Sequence, residues 1–140
     1  MIALSDGGAL VVGGLRSPAE GAAGEASQPT TTVERFSPAT GTWAPTDGFD
    51  ASGRRPAMAA LADGRVLAVA GANAAIYDPA AGTWTGSVPI PDHRNDATAV
   101  LLEDGSVLVA GGWQEWVPDT PGCPTPIPGT WRFVPAIAPH

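Results

Sequence analysis

The densest run of side chains able to do chemistry in this 140-residue chain is Asp92-His93-Arg94-Asn95-Asp96. Carboxylates on either side of an imidazole suggest a metal ion. The spacing argues against one, because adjacent side chains on an extended chain point to opposite sides and cannot close on one centre. The run then has two readings: a solvated linker, or hydrogen-bonding groups presented to a ligand. Catalytic sets fare worse. No Gly-x-Ser-x-Gly nucleophile turn occurs, and the absence of Lys excludes a phosphate-binding Gly-x-x-x-x-Gly-Lys loop. The single Cys123 lies far in sequence from both His93 and His140, so it reads as an incidental thiol, and alone it cannot form an intramolecular disulfide. Carboxylate pairs such as Glu103-Asp104 read as turn formers. The expectation is a non-enzyme with no cofactor.

Charge and composition narrow the partners. The net charge of −7 argues against a nucleic-acid backbone or an anionic membrane surface, since both repel an acidic protein. No window approaches the roughly 18 apolar residues of a membrane-spanning helix. No basic and then apolar leader is visible at the N-terminus, which leaves the compartment open. The chain holds 18 Gly and 15 Pro, and the longest stretch free of both runs only from Asp92 to Asp104. That leaves no room for a helical bundle and predicts an all-β fold.

Internal repetition organises the chain. Three segments align without gaps: Ala3 to Gly14, Ala60 to Gly71, and Leu101 to Gly112, each carrying Asp-Gly between two apolar runs. Each is followed by Gly-Thr-Trp, at Gly41-Thr42-Trp43, Gly82-Thr83-Trp84 and Gly129-Thr130-Trp131. Asp-Gly between apolar runs predicts a hairpin, with a type I′ turn and positive φ at both central residues. Val33-Glu34-Arg35-Phe36 and Ala75-Ile76-Tyr77 read as third strands. They end in Pro-x-x-Gly turns, where Pro fixes φ and Gly supplies the reversal. Thr-Trp then opens a fourth strand in every unit. Four antiparallel strands repeated about an axis make a propeller blade, and the recurring Trp side chains read as packing between blades.

Asp-Gly-x-Val-Leu-x-x-Gly-Gly followed by Tyr-Asp-Pro-x-x-Gly-Thr-Trp resembles the kelch repeat of β-propellers, most closely its bacterial, galactose-oxidase-like branch. The resemblance implies about three four-stranded antiparallel blades in one domain, spanning about 1–48, 49–89 and 90–140, as an incomplete ring or partial propeller. It departs from the pattern at Ala97, where similar repeats carry a His, and in the Pro-rich insertion Cys123-Pro124-Thr125-Pro126-Ile127-Pro128, which predicts an irregular third blade. The copper chemistry of that branch needs two Tyr, two His and a Cys cross-linked to one Tyr. With Tyr77 as its one tyrosine, this chain cannot complete the set. Three blades fall short of the roughly four to eight of a closed ring. The expectations are a piece of a longer kelch protein, two copies closing a six-bladed ring through open blade faces, or an open wedge.

Alternating strands put the Asp-Gly and Pro-x-x-Gly turns at one end and the variable loops at the other, where binding on a rigid scaffold resides. The candidate binding residues there are Arg54, Arg55, Asn73, Asp92, His93, Arg94, Asn95, Asp96, Trp113 and Gln114, with Arg94, Asn95 and Asp96 at the mouth of a central channel. The ligand implied is a protein or glycan on a non-catalytic module. The alternative is part of a carbohydrate-active kelch enzyme whose catalytic residues lie outside this chain.

Overall fold

The computed structural model describes residues 1–16, 28–49, 55–114 and 125–135, and these are all-β with antiparallel pairing. Sheet 1 contains β1 (Ile2–Ala3), β2 (Ala9–Arg16), β3 (Gln28–Ser37) and β4 (Thr42–Thr46) in sequential order. Sheet 2 contains β5 (Ala57–Ala60), β6 (Val66–Asp78), β7 (Thr83–Trp84) and β8 (Val88–Arg94). β9 (Thr98–Leu101), β10 (Val107–Ala110) and β13 (Thr130–Phe133) form sheet 3, beside a short pair made by β11 (Trp113–Gln114) and β12 (Thr125–Pro126).

β6 is extended along its whole length but cannot be straight. A straight run would hold Arg65 and Asp78 about 43 Å apart. Yet the Asp78 charge helps raise the pKa of Arg65, and Leu67 and Ile76 line one cavity. The chain doubles back near Gly71, whose φ of 55° is open to glycine at little cost. β6 therefore supplies both the second and third strands of its unit, in the places that β2 and β3 take in sheet 1.

The Asp-Gly turns differ from the sequence expectation. Gly7, Gly64 and Gly105 are left-handed, with φ of 83°, 86° and 81°, but the preceding Asp residues are not. Gly7 donates to Leu4 O and Leu4 donates to Gly8 O, and the other two turns repeat this pattern. This is the three-residue hairpin loop closed by a left-handed glycine bulge, rather than type I′. The reason is the side chain before the glycine. Asp6, Asp63 and Asp104 each accept the backbone N–H two residues on, at 2.8, 3.1 and 3.0 Å, which locks the aspartate on the negative-φ side.

Each of these carboxylates is also held below its ordinary pKa. The Gly8 amide is the main cause for Asp6, the Arg65 guanidinium for Asp63, and the Ser106 hydroxyl for Asp104. A carboxylate whose folded pKa is depressed adds stability above its unfolded value, near 3.9, and loses it as pH falls through the folded value. Urea midpoints are therefore expected to hold from neutrality to about pH 5 and to decline below it. A chain carrying Asp6→Asn, Asp63→Asn and Asp104→Asn together should show a flatter decline. An unchanged slope would remove these turns from the acid response.

Sheet 2 lies between the other two. Val66, Ala68, Ala70, Ala75 and Tyr77 pack on Leu4, Leu10, Val12, Val33 and Phe49 of the sheet 1 segment. The opposite side, with Ala57, Ala59, Leu61, Leu67, Val69 and Ala74, packs on Val107 and Val109 of sheet 3 together with Ile90. Burial on both faces explains why Val66-Leu67-Ala68-Val69-Ala70 is an unbroken apolar run, as in any strand with no solvent side. The first strands lie near one another, with β5 against β1 on one side and β9 on the other. The expected packing role holds for two tryptophans. Trp84 stacks on Phe49 at 5.0 Å and donates its Nε1–H to Asp47 O, and Trp131 packs into the core between sheets 2 and 3.

The third unit departs from the expected four strands. Among its described residues β13 pairs directly with β10, and Arg132 faces Leu108 as Arg35 faces Leu10 in sheet 1. Trp131 thus sits in the third-strand place, not the fourth. Among the described residues β12 covers only Thr125–Pro126, and neither Pro126 nor Pro128 can donate to a ladder. Thr130-Trp131-Arg132-Phe133, with a donor at every residue, takes the position beside β10. No helix among the described residues is long and apolar enough to cross a membrane.

Candidate functional site

Of the polar run for which a solvated linker was one reading, Asp92, His93 and Arg94 end strand β8, while Asn95 and Asp96 lie beyond it. β8 spans the junction expected at 89–90 and pairs with the middle of β6 around its bend, with Gly71 opposite Arg94 and Asn73 opposite Pro89. Ile90 is buried in the core between sheets 2 and 3 and anchors the segment. The chain then crosses to sheet 3 through a backbone bridge, in which Asn95 N–H donates to Trp113 O at 2.9 Å and Trp113 N–H donates to Asn95 O at 3.0 Å. Gly112 makes the approach possible. A Cβ there would lie 2.7 Å from Asn95 O, and its φ is 94°.

Around this bridge the loop end brings together Arg55, Asp92, Arg94, Asn95, Asp96 and Trp113. Arg94 is 3% exposed, and its Nη1 donates to Gly111 O at 2.8 Å and to Gly129 O at 3.3 Å, while Nη2 donates to Asp92 at 3.2 Å. It ties β8 to both strand ends of sheet 3 and offers no surface to a ligand. Asn95 is fully buried, and both its Oδ1 and its Nδ2 lack a hydrogen-bond partner among the described residues. Leaving an amide in that state costs free energy. Asp96 has a φ of 53°, a conformation that non-glycine residues rarely take, and its Oδ2 accepts the Trp113 Nε1–H at 2.9 Å. Arg55 reaches its other carboxylate oxygen at 3.6 Å from an exposed position.

The remaining candidates lie around this cluster. Gln114 is exposed beside Trp113, and Asp92 faces solvent. His93 is half-buried, with Nδ1 lacking a partner among the described residues. Asn73 sits on β6 opposite Pro89, away from the Asp96–Trp113 contact. Arg54 lies outside the described residues, as do Cys123 and His140. The surface open to a ligand is therefore the accessible part of the half-buried Trp113 side chain with Asp92, Asp96, Arg55 and Gln114 around it. The φ at Asp96 and the unpaired Asn95 amide had no sequence signal, since both arise from the crossing between sheets.

Among the described residues no three His, Cys, Asp or Glu side chains converge. Tyr77 is fully buried between sheets 1 and 2, with its hydroxyl 3.4 Å from Thr46 Oγ1, and is no copper ligand. Sequence reasoning also missed a cavity of about 400 Å³ between the outer parts of sheets 2 and 3, lined by Leu67, Ala74, Ile76, Val88 and Phe133 with Arg65 at one edge. Its walls are nearly all apolar, and it sits where sheet 3 has no fourth strand among the described residues. Compared with known protein families and with curated proteins, the chain matches none.

Proposed function

We propose that this chain is a kelch-type β-propeller module that binds its ligand without catalysis, through the loop end that carries Trp113. The carrying observation is the Asp96–Trp113 contact at 2.9 Å, which fixes an indole ring beside carboxylates at the crossing between sheets. The propeller part of the proposal is supported by sheets stacked face to face and by first strands, β1, β5 and β9, that gather on one side. Strands gathered in this way would line an axis, and loops leaving the same end of every sheet would surround its mouth.

The chemistry favours a neutral hydroxyl-rich ligand over an anionic one. Trp113 supplies a flat face, Asp92 and Asp96 accept from hydroxyls, and the net charge of −7 repels anions. A neutral oligosaccharide meets these terms, and so does a peptide rich in Ser or Thr. Indoles buried in a binding contact dominate its energy. Glycan-array and peptide-array binding of the full chain is expected to give a ligand whose affinity falls at least tenfold in Trp113→Ala and is partly kept in Trp113→Phe. Binding that survives Trp113→Ala unchanged, or that maps to the Asp-Gly turns at the opposite end, would overturn the assignment. Turnover of the bound glycan would favour the enzyme reading.

A further inference from the structure

The same sheet-to-sheet contact is made twice in this molecule, and each half of it is exposed once more at the ends of the stack. Toward sheet 1, sheet 2 presents Val66, Ala68, Tyr77 and Trp84. The repeat places Ala9, Val11, Phe36 and Trp43 at the same positions of sheet 1, on the side away from sheet 2. Phe36 and Trp43 keep the tilted ring contact of Tyr77 and Trp84, with centroids 5.4 Å apart against 5.1 Å, yet Trp43 is 47% exposed.

The other half behaves alike. Toward sheet 3, sheet 2 presents Ala59 and Leu67. Their counterparts in sheet 3 are Val100 and Leu108, paired side by side on the face away from sheet 2. Val100 is 51% exposed, where Ala59 is 5%. The Asp–Arg pair reports the same difference: Arg35, in a sheet covered on that side, is 33% exposed, and Arg132, at the same place in sheet 3, is 56% exposed.

We infer that a second copy of this chain docks head to tail, with the outer face of sheet 3 in one copy against the outer face of sheet 1 in the other. The contact is a third instance of one the fold already makes twice, so shape and apolar pattern are supplied by the repeat itself. Charge selects the direction. Glu34 lies on the outer face of sheet 1, opposite Val11 and Pro45, and has no ion-pair partner among the described residues. Arg132 lies on the outer face of sheet 3, opposite Leu108. Head-to-tail docking brings these opposite charges onto facing surfaces. Arg132 is paired with Asp104, so the uncompensated charge is Glu34, and pairing like faces of sheet 1 would set Glu34 against Glu34, which costs free energy. Each copy offers one face of each kind, the condition for a heterologous assembly.

Light scattering on the full chain at micromolar concentration tests this. The expected mass is twice 14.1 kDa or a higher multiple. Trp43→Asp and Val100→Asp alter exposed side chains on the two outer faces, and each alone is expected to weaken association at least tenfold while circular dichroism stays unchanged. A one-to-one mixture of the two variants should recover a dimer, because the intact sheet 3 of the first meets the intact sheet 1 of the second. A monomeric wild type, an association lost in only one of the two variants, or a mixture that stays monomeric would overturn the inference.

Discussion

Replacing Tyr77 with Ala is expected to remove about 3–5 kcal/mol of stability, the range for truncating a large buried ring. Tyr77 is fully buried, and its ring lies 5.1 Å from Trp84, whose own ring stacks on Phe49. Removing it leaves a void in the layer that joins sheets 1 and 2, and β-strands fixed on both sides cannot collapse to fill it. Domains have only about 5–15 kcal/mol in hand, so the loss takes a large share. Tyr77→Phe separates the ring from the hydroxyl. The hydroxyl contact to Thr46 is long, at 3.4 Å, so this change should cost at most about 1 kcal/mol. Urea unfolding of the two variants measures both. A small loss for Tyr77→Ala would mean that the layer between sheets 1 and 2 adds little to the cooperative unit.

The repeat made the stacking legible because one sequence pattern serves three sheets, and its alternation states which side chains face which neighbour. Val66 to Ala70 shows how far that goes: after Asp-Gly it reads as a hairpin strand, and its apolar residues on both parities fit the burial on both faces that the structure shows. The turns were legible in place but not in type. Asp-Gly fixes where the hairpin closes, while the conformation depends on the aspartate bonding to the amide two residues on. The third unit was less legible, because which strand pairs with β10 is a competition. Prolines in the insertion remove donors from one competitor, and the outcome depends on where Thr130 to Phe133 can reach. At the site, residue types located the polar end of the stack, but periodicity does not say which polar side chains turn inward. Arg94 and Asn95, both expected at a channel mouth, are buried, because β8 pairs with β6 and carries them beneath Gly111 and Gly112.

Arg94 is where that distinction can be measured, and Arg94→Met is expected to cost on the order of 3 kcal/mol, the loss of charge-assisted bonds to backbone carbonyls. Methionine keeps most of the stem but none of the donors. Gly111 O and Gly129 O, 2.8 and 3.3 Å from Nη1, would lose this partner, and the loss falls at both strand ends of sheet 3 together. Asp92→Asn is the control. The Asp92 carboxylate is half exposed while the Arg94 side chain is buried, and Asp92→Asn removes one charge but leaves both carbonyl bonds of Arg94 in place, so this variant should lose clearly less stability than Arg94→Met. Hydrogen exchange sharpens the comparison, since Arg94→Met should speed exchange of the Asn95 and Trp113 amides that form the bridge while leaving β2 and β3 protected. A ligand-facing arginine would give the reverse pattern, with unchanged unfolding and exchange alongside lost binding. Stability lost at β10 and β13, with the sheet 1 amides untouched, marks Arg94 as the residue that holds the Trp113 surface in place.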